Sequence, residues 1–344
     1  MKQHSAAFKP RRGGMGPKIV ALGGGTGLST MLRGLKEYTK NITAIVTVTD
    51  DGGGSGVLRQ DLGMPPPGDI RNCLLALANT EPVMGELLGY RFTEGILKGQ
   101  SFGNLFLAAL NEISPSFDVA VRRMSEVLAI TGRVLPVTNE NVVLEAEFEN
   151  CAQVVGESKI FQCKKQQDCR IRRVRLQPRH PQALQESLEA IRAADLILLG
   201  PGSLYTSIIP NLLVDGIVEE ITRSDALKLY ICNVMTQEGE TEGYSVSDHI
   251  RALFHHADDH IFDYCLTNSA AVPKEICARY AAEGAAPIVC DREESEKLGV
   301  SVIEREVSLI GADGKVKHDT AALAREIFAV YAEYGSIRIA EDSF

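Results

Sequence analysis

The chain has no tryptophan, and only 6% of its 344 residues are aromatic. No apolar run approaches the roughly 20 residues that a membrane-spanning helix needs. The start, MKQHSAAFKPRRGGMG, is basic but lacks the apolar core of a signal peptide. We therefore expect no membrane span, a cytoplasmic location, and a flexible tail over residues 1–17.

Cysteine clusters and basic aromatic patches are also missing. The eight cysteines show no C-x-x-C spacing, so neither a zinc site nor a disulfide framework is indicated. The net charge is −9 and no Lys/Arg cluster alternates with aromatic residues, so we expect no nucleic-acid partner. Arg170, Arg172, Arg173 and Arg175 form a local basic strand, which we interpret as a solvated face.

What the sequence does contain is a repeated alternation of buried strands and amphipathic helices. Two β-branched apolar runs, Lys18–Leu22 and Ile42–Thr49, flank a segment with apolar residues at the i, i+3, i+4 and i+7 positions from Leu28. Further strand-like runs are LILLG (Leu196–Gly200) and KLYICNV (Lys228–Val234). Near-continuous apolar strands joined by helices are typical of a parallel sheet covered on both faces.

The sequence therefore predicts an α/β fold: a Rossmann-like, mainly parallel sheet with helices on both faces and a small antiparallel β insert. We expect a single domain over residues 18–335, followed by a tail at 336–344. The insert is predicted at about residues 134–176, where VVLEAEFEN and VVGESKI alternate apolar and polar residues.

The first candidate site follows the first strand. Gly24, Gly25, Thr26 and Gly27 let the backbone approach a ligand closely, and the helix after them presents unpaired N–H groups. This geometry favours a phosphate group. The spacing is not the dinucleotide fingerprint, because G-x-G-x-x-G read from Gly23 places a leucine at the third glycine. A turn that only packs two elements is the structural alternative.

A second glycine loop follows the second strand and begins with two acidic residues. Asp50 and Asp51 stand where an acidic side chain can hold a ribose hydroxyl or, as a pair, a divalent cation such as Mg²⁺. Gly53 and Ser55 supply backbone donors, and Arg59 could reach a phosphate. The alternative is a solvated cap.

Other polar residues stand at predicted helix starts or in loops after strands, where open α/β sheets bind ligands. For Asp69 and Asn104 the alternative is a helix cap. The full set of these candidates is Asp69, Arg71, Asn104, Gly202, Ser203, Tyr205, Thr206, Asn233 and Thr236.

Five long motifs together resemble the YvcK (GlmR) family of gluconeogenesis factors, which belongs to a superfamily that contains the phospholactyl transferase CofD. They are GGGTGLSTMLRGLK, ITAIVTVTDDGGGSGVLR, PPPGDIRNCLLALA, GPGSLYTSIIPNLLV and YICNVMTQEGETEGYSVSDH. The resemblance also implies a ligand role for Tyr280 and for Lys317, which stands where we expect an arginine in relatives. A lysine keeps the charge but lacks the bidentate donors.

The resemblance implies a cytoplasmic regulator that binds UDP-N-acetylglucosamine and supports cell-wall precursor supply and cell shape during gluconeogenic growth. It also implies glucosamine-6-phosphate synthase as a partner. We expect a homo-oligomer that requires no cofactor. Two alternatives stay open: a CofD-like, Mg²⁺-dependent phosphoester transferase with a metal at Asp50 and Asp51, and an NAD-binding protein.

Overall fold

Seven parallel strands form the central sheet in a computed structural model of the protein, which describes residues 16–79, 81–167, 169–257 and 261–341. Two smaller antiparallel sheets accompany it. The strands are β1 (Ile19–Gly23), β2 (Ile42–Val46), β3 (Arg133–Pro136), β4 (Val143–Phe148), β5 (Gln153–Val155), β6 (Ile171–Gln177), β7 (Leu196–Leu199), β8 (Leu227–Ile231), β9 (Tyr264–Asn268), β10 (Ser301–Arg305), β11 (Ser308–Ile310) and β12 (Val316–His318).

The order of strands in the central sheet is β10-β9-β8-β7-β1-β2-β3, and every neighbouring pair is parallel. The chain first builds outward from β1 to β3 and later returns to the other side of β1 with β7. The strand order therefore reverses between β1 and β7. In open α/β sheets, ligands bind outside the carboxyl ends of the strands at such a switch point.

Helices cover the sheet, as predicted for strands that are apolar along their whole length. All five residues of β1 and all five of β2 are buried. The helices are α1 (Gly25–Leu35), α2 (Gly53–Leu62), α3 (Gly68–Leu77), α4 (Pro82–Gly89), α5 (Phe102–Glu112), α6 (Phe117–Val127), α7 (Glu157–Gln167), α8 (Gln185–Arg192), α9 (Ile209–Leu212), α10 (Ile217–Arg223), α11 (Val246–His256), α12 (Lys274–Ala281), α13 (Arg292–Glu296) and α14 (Thr320–Glu341). A π-helical turn, Leu204–Ile208, directly precedes α9.

Helix α1 is the element that brings the first glycine turn against the core. Leu28, Met31, Leu32 and Leu35 are fully buried, which confirms the helical repeat in the sequence. Its far end lies against α14, where a Cβ atom on Gly34 would come within 2.2 Å of a backbone oxygen. The fold prediction of a mainly parallel sheet with a small antiparallel one is confirmed.

The insert differs from its predicted boundaries. Residues 133–136 form β3, which pairs in parallel with β2 at the edge of the central sheet. The antiparallel sheet has the order β5-β4-β6 and begins at Val143, and α7 connects β5 to β6. Apolar and polar residues alternate in any strand with one exposed face, whether it lies at the edge of a parallel sheet or in an antiparallel insert. The local sequence pattern therefore does not distinguish these two kinds of strand.

The C-terminal region contains a hairpin, formed by β11 and β12 with a turn at residues 311–314. Helix α14 continues through residues 336–341, where a tail was predicted, because a single glycine in a helical pattern does not end the helix. The predicted tail of residues 1–17 lies largely outside the described residues. All eight cysteines are free, and no helix in the described ranges is long and apolar enough to cross a membrane.

Candidate functional site

The glycine turn between β1 and α1 is shaped by close contacts. A Cβ atom on Gly24 would lie 2.7 Å from Oδ2 of Asp69, and one on Gly27 would lie 2.7 Å from the carbonyl oxygen of Pro201. Gly25 has φ +65°, a backbone angle that residues with a side chain rarely adopt. Helix α1 has no side-chain cap at its N-terminus. The turn thus presents the N-terminal end of a helix dipole at the switch point.

The two aspartates after β2 point in different directions. Asp50 Oδ1 accepts a hydrogen bond of 2.9 Å from the N–H of Gly52. Asp51 Oδ1 instead accepts one of 2.8 Å from the N–H of Ser158, in the first turn of α7. Asp50 lines the pocket below α1, whereas Asp51 stabilises the N-terminus of the insert helix. The structure therefore does not bring Asp50 and Asp51 together as the predicted pair of metal ligands.

Two connected compartments form the candidate site. The larger has a volume of about 340 Å³, and the smaller, of about 170 Å³, shares Asp50 and Asp69 with it. The larger is lined by Gly24, Gly25, Thr26, Gly27, Asp50, Asp69, Glu157, Gly202, Ser203 and Ser207. The smaller is lined by Asp50, Gly52, Gly53, Gly54, Ser55, Gly68, Asp69, Arg71, Asn72, Arg91 and Asn104.

Carboxylates dominate the charge of the larger compartment. Burial, reinforced by the charge of Asp50, raises the pKa of the Asp69 carboxyl to about 7, although the N–H of Gly25 and the charge of Arg71 oppose the shift. Burial also raises the pKa of Glu157 well above its usual range, and the charges of Asp50 and Asp69 add to this effect. These groups therefore favour either shared protons or a cation near neutral pH. Asp69 is not the N-cap of α3, which is Pro67.

The smaller compartment holds unpaired polar atoms. Asn104 is only 3% exposed, and its Oδ1 has no hydrogen-bond partner; Nε of Arg71 is also buried without one. The two terminal nitrogens of Arg71 donate to Ser101 Oγ and Asn72 Oδ1. Arg71 and Arg91 form no ion pair among the described residues. Buried polar groups without a partner are uncommon in folded proteins, so these atoms are candidates for ligand contacts.

The turn after β7 faces the α1 turn across the larger compartment. Asn233 holds it in place: its Oδ1 accepts from the N–H of Gly202 at 3.2 Å, and its Nδ2 donates to the Gly202 carbonyl at 2.8 Å. Ser203 Oγ donates to Gln237 Oε1 at 2.8 Å. Thr236 is buried, and its hydroxyl accepts from the N–H of Ala286. Asn233 is therefore placed as a support for the turn, whereas Thr236 joins its loop to Ala286.

Two predicted ligand side chains, Tyr205 and Arg59, lie in the interior instead, and a third, Thr206, is half-buried. The Tyr205 hydroxyl lies 2.9 Å from the Tyr244 hydroxyl, and the residue is 3% exposed. Arg59 is buried and donates to the carbonyl oxygens of Thr49 and Val142. The Thr206 hydroxyl lowers the pKa of the Glu240 carboxyl through a hydrogen bond, although burial raises that pKa to about 7. Apolar neighbours and local partners decide these orientations, and a motif does not reveal them.

Tyr280 and Lys317 come together at a different place. The hydroxyl of Tyr280 accepts a hydrogen bond of 3.0 Å from the N–H of Val316 in β12. Nζ of Lys317 forms a 2.8 Å ion pair with Asp313 in the same hairpin. Neither residue lines the two compartments.

Sequence reasoning missed Glu157 and Arg91. Glu157 belongs to the insert, and Arg91 follows α4; both reach the site only because their segments fold over the carboxyl ends of β1 and β2. No local signal marks them. No group of three His, Cys, Asp or Glu side chains is gathered as a metal site within the described ranges.

Comparison with known proteins identifies the family. The profile described as 2-phospho-L-lactate transferase CofD matches residues 19–308. A relative from Thermoanaerobacterium thermosulfurigenes is 56% identical over 309 residues, which cover 90% of this chain and 95% of the relative. The gluconeogenesis factor of Bacillus subtilis is 49% identical over 312 residues, covering 90% of this chain and 97% of that protein. The chain belongs to the YvcK family of gluconeogenesis factors, within the CofD family.

A solved structure supports the fold as well. The crystal structure of a UPF0052 family member from Bacillus halodurans superposes with a TM-score of 0.88 at 45% identity. The match covers 92% of this chain and 100% of the other. The resemblance inferred from the five motifs is confirmed.

Proposed function

We propose that this protein binds a nucleoside diphosphate sugar, UDP-N-acetylglucosamine, and acts as a regulator rather than a catalyst. One observation carries the proposal: the N-terminus of α1, whose N-cap residue Gly24 supplies no side-chain cap, opens into a compartment of about 340 Å³ at the switch point, which the Gly202–Ser203 turn also lines. The Asp69 carboxyl accepts from the first N–H of this helix, that of Gly25. Helix N-termini and close glycine backbones are the usual receptors for diphosphates. A side chain at Gly24 or Gly27 would collide with Asp69 or Pro201, so the close packing of this turn requires glycine at both positions.

The smaller compartment extends this site with complementary groups. The uncapped N-terminus of α2, Arg71 and Arg91 supply donors, and Asn104 Oδ1 supplies an unpaired acceptor. Donors and acceptors side by side suit a ligand that carries both phosphate oxygens and hydroxyl or amide groups. A nucleotide sugar has this composition.

The physiological role that we propose comes from the family. The relatives' name, gluconeogenesis factor, and the family resemblance support a cytoplasmic regulator of cell-wall precursor supply and cell shape during gluconeogenic growth. Glucosamine-6-phosphate synthase is the proposed partner, and a homo-oligomer is the proposed assembly. Light scattering of the purified protein tests the assembly, and co-purification with the synthase tests the partner.

The second candidate is a CofD-like phosphoester transferase that uses Mg²⁺. The observation in its favour is that Asp50 and Asp69 face one compartment, with Glu157 beside them. Carboxylate oxygens are the ligands that Mg²⁺ prefers, and it commonly takes one or two of them together with substrate phosphates and water. Asp50 and Asp69 would hold the ion, which would neutralise negative charge on a diphosphate. The residues fit a metal that arrives with its ligand.

Calorimetric titration with UDP-N-acetylglucosamine tests the binding proposal. We expect Gly25→Val to weaken binding more than tenfold, because Gly25 has φ +65° and lines the compartment. Gly63→Val is the matched control: Gly63 has φ +66° at the end of α2, with no atom near its Cβ position. Both variants carry the same backbone strain, so equal weakening in the two would contradict the proposed site. Absence of binding by the unmodified protein would contradict the ligand.

Product analysis separates the regulator from the enzyme. The protein is incubated with Mg²⁺ and nucleotide-activated phosphoesters, and nucleotide release is followed by chromatography. The regulator predicts binding without turnover. Turnover that is lost in Asp50→Asn but kept in Asp51→Asn would favour the transferase.

A further inference from the structure

A second pocket, of about 480 Å³, lies on the small antiparallel sheet. It shares no residue with the two compartments of the candidate site. Residues of β6, the turn that follows it and the end of α9 form the walls. They are Arg173, Val174, Arg175, Leu176, Arg179, His180 and Leu213.

The lining contains three guanidinium groups and no carboxylate. Arg175 pairs with Glu147 at 3.3 Å and Arg179 pairs with Glu145 at 3.1 Å, and both glutamates belong to β4, outside the lining. The side chain of Arg173 forms no ion pair or hydrogen bond within the described part of the chain. A guanidinium has five N–H donors in a planar fork, so these pairs leave most donors of the pocket unused.

The positive charges of Arg173 and Arg175 affect His256 of the neighbouring helix α11. His256 of α11 accepts a 2.9 Å hydrogen bond from the N–H of Val174. Burial is the main reason that the pKa of His256 is lowered to about 4, and His255, Arg173 and Arg175 lower it further by their charge.

His180, at the rim, has an unusual backbone. Its φ is +60°, a backbone conformation that residues other than glycine rarely adopt. The Asp215 carboxylate lies 3.2 Å from its Nδ1, and Gln182 Nε2 donates to its carbonyl at 3.1 Å. These contacts hold an exposed imidazole beside the arginines.

Protection of a sheet edge is the simpler reading of a basic strand. Strand β6 is an edge strand, and charged side chains on edges prevent association with other strands. Arg172 fits that role: its side chain is 60% exposed, pairs with Glu147 and does not line the pocket. Edge protection does not require three further cationic side chains from two segments to converge on one concave site.

We propose that this pocket binds a small, multiply charged oxyanion, through phosphoryl or carboxylate groups. Planar guanidinium forks bind both groups in a bidentate manner. Arg173, Arg175 and Arg179 supply the forks, and His180 lies at the rim. The pocket volume of about 480 Å³ suits a metabolite-sized anion rather than a single ion.

Calorimetric titration with pyrophosphate and, separately, with citrate tests the proposal and distinguishes the two kinds of oxyanion. The Gly25→Val protein serves as the background, because pyrophosphate could also bind at α1. We expect binding of at least one probe, weakened more than tenfold by Arg173→Gln/Arg175→Gln. Arg172→Gln, which removes one positive charge from the same strand outside the pocket, should change the affinity less than twofold.

Arg179→Gln provides a second test if the double variant does not fold, and circular dichroism reports on folding for each protein. It should weaken the same binding event at least threefold. No binding of either probe at 10 mM, or equal weakening by Arg172→Gln, would overturn the proposal. Because the background already carries the altered α1 turn, a failure of nucleotide-sugar binding does not affect this result.

Discussion

Replacing Asp69 by asparagine tests the electrostatics of the candidate site most directly. The folded protein raises the pKa of this carboxyl from 3.8 to about 7, so folding favours its protonated form. The stabilisation that protonation contributes is complete below pH 3.8 and is lost as the pH rises through 7. Asparagine keeps the shape and stays neutral, so the variant should not show this loss.

The size of the effect follows from the pKa. At pH 5.5 the folded-state pKa of about 7 lies ~1.5 units above the pH, which corresponds to about 2 kcal/mol at 1.36 kcal/mol per unit. At pH 8.5 this contribution is close to zero. The stability advantage of Asp69→Asn over the unmodified protein should therefore grow by at most about 2 kcal/mol between these two pH values.

Urea unfolding at pH 5.5 and 8.5 measures the difference for both proteins. Glu157 contributes to the difference as well, because the charge of Asp69 helps to raise the Glu157 pKa and the substitution removes that charge. Asp61→Asn, at an exposed position of α2, is the control and should show no such growth. A stability difference that does not depend on pH, or that grows toward acid, would refute the assignment of the raised pKa to Asp69.

Ligand binding by the same variant adds a second readout. In EDTA at pH 8.5 the Asp69 carboxylate is ionised and repels an anionic ligand. Replacing it with asparagine should therefore tighten binding by up to about 30-fold, the equivalent of ~1.5 pKa units. In Mg²⁺ the sign reverses if Asp69 holds the cation, because the variant then loses a metal ligand. Weaker binding in EDTA would mean that the carboxylate accepts a hydrogen bond from the ligand.

Three further substitutions separate structural from ligand roles. Tyr205→Phe removes the buried hydroxyl that bonds Tyr244 and should cost about 1 kcal/mol of unfolding free energy while leaving ligand affinity unchanged, as measured by urea unfolding and calorimetry. Asp51→Ala should lower stability by about 1 kcal/mol, because the N–H of Ser158 at the N-terminus of α7 loses its acceptor, again with unchanged affinity. His256→Leu should cost about 1–3 kcal/mol at pH 7, because the N–H of Val174 loses its acceptor. The folded pKa of His256 is lowered to about 4, so the unmodified protein loses stability as the pH falls below 6.5, and the gap between the two should narrow by about 2 kcal/mol at pH 5.

The parallel sheet could be predicted because its signals are local. The apolar runs at β1, β2, β7 and β8 and the helical repeat of α1 each lie within one element, and burial on both faces forces continuous apolar sequence. The insert boundary was harder, since β3 is exposed at its first residue and resembles an antiparallel strand. Only pairing with β2 assigns it to the central sheet.

The glycine turns of the site were equally visible in the sequence, but the partners of its polar residues were not. Asp50 and Asp51 are adjacent, yet one faces the compartment and the other the first turn of α7. Asp69, which belongs to α3, lines the same compartment as Asp50 instead. Such choices depend on which segments fold over the sheet, and sequence spacing carries no information about them.

By itself the sequence determined the alternation of strands and helices, the positions of the glycine turns and the family, because each rests on residues close together in the chain. The tertiary structure decided which carboxylates share a compartment, that Tyr205 and Arg59 lie in the interior, and that four basic residues form a pocket on the small sheet. These outcomes depend on contacts between residues far apart in the chain, where burial and electrostatic interactions act through space.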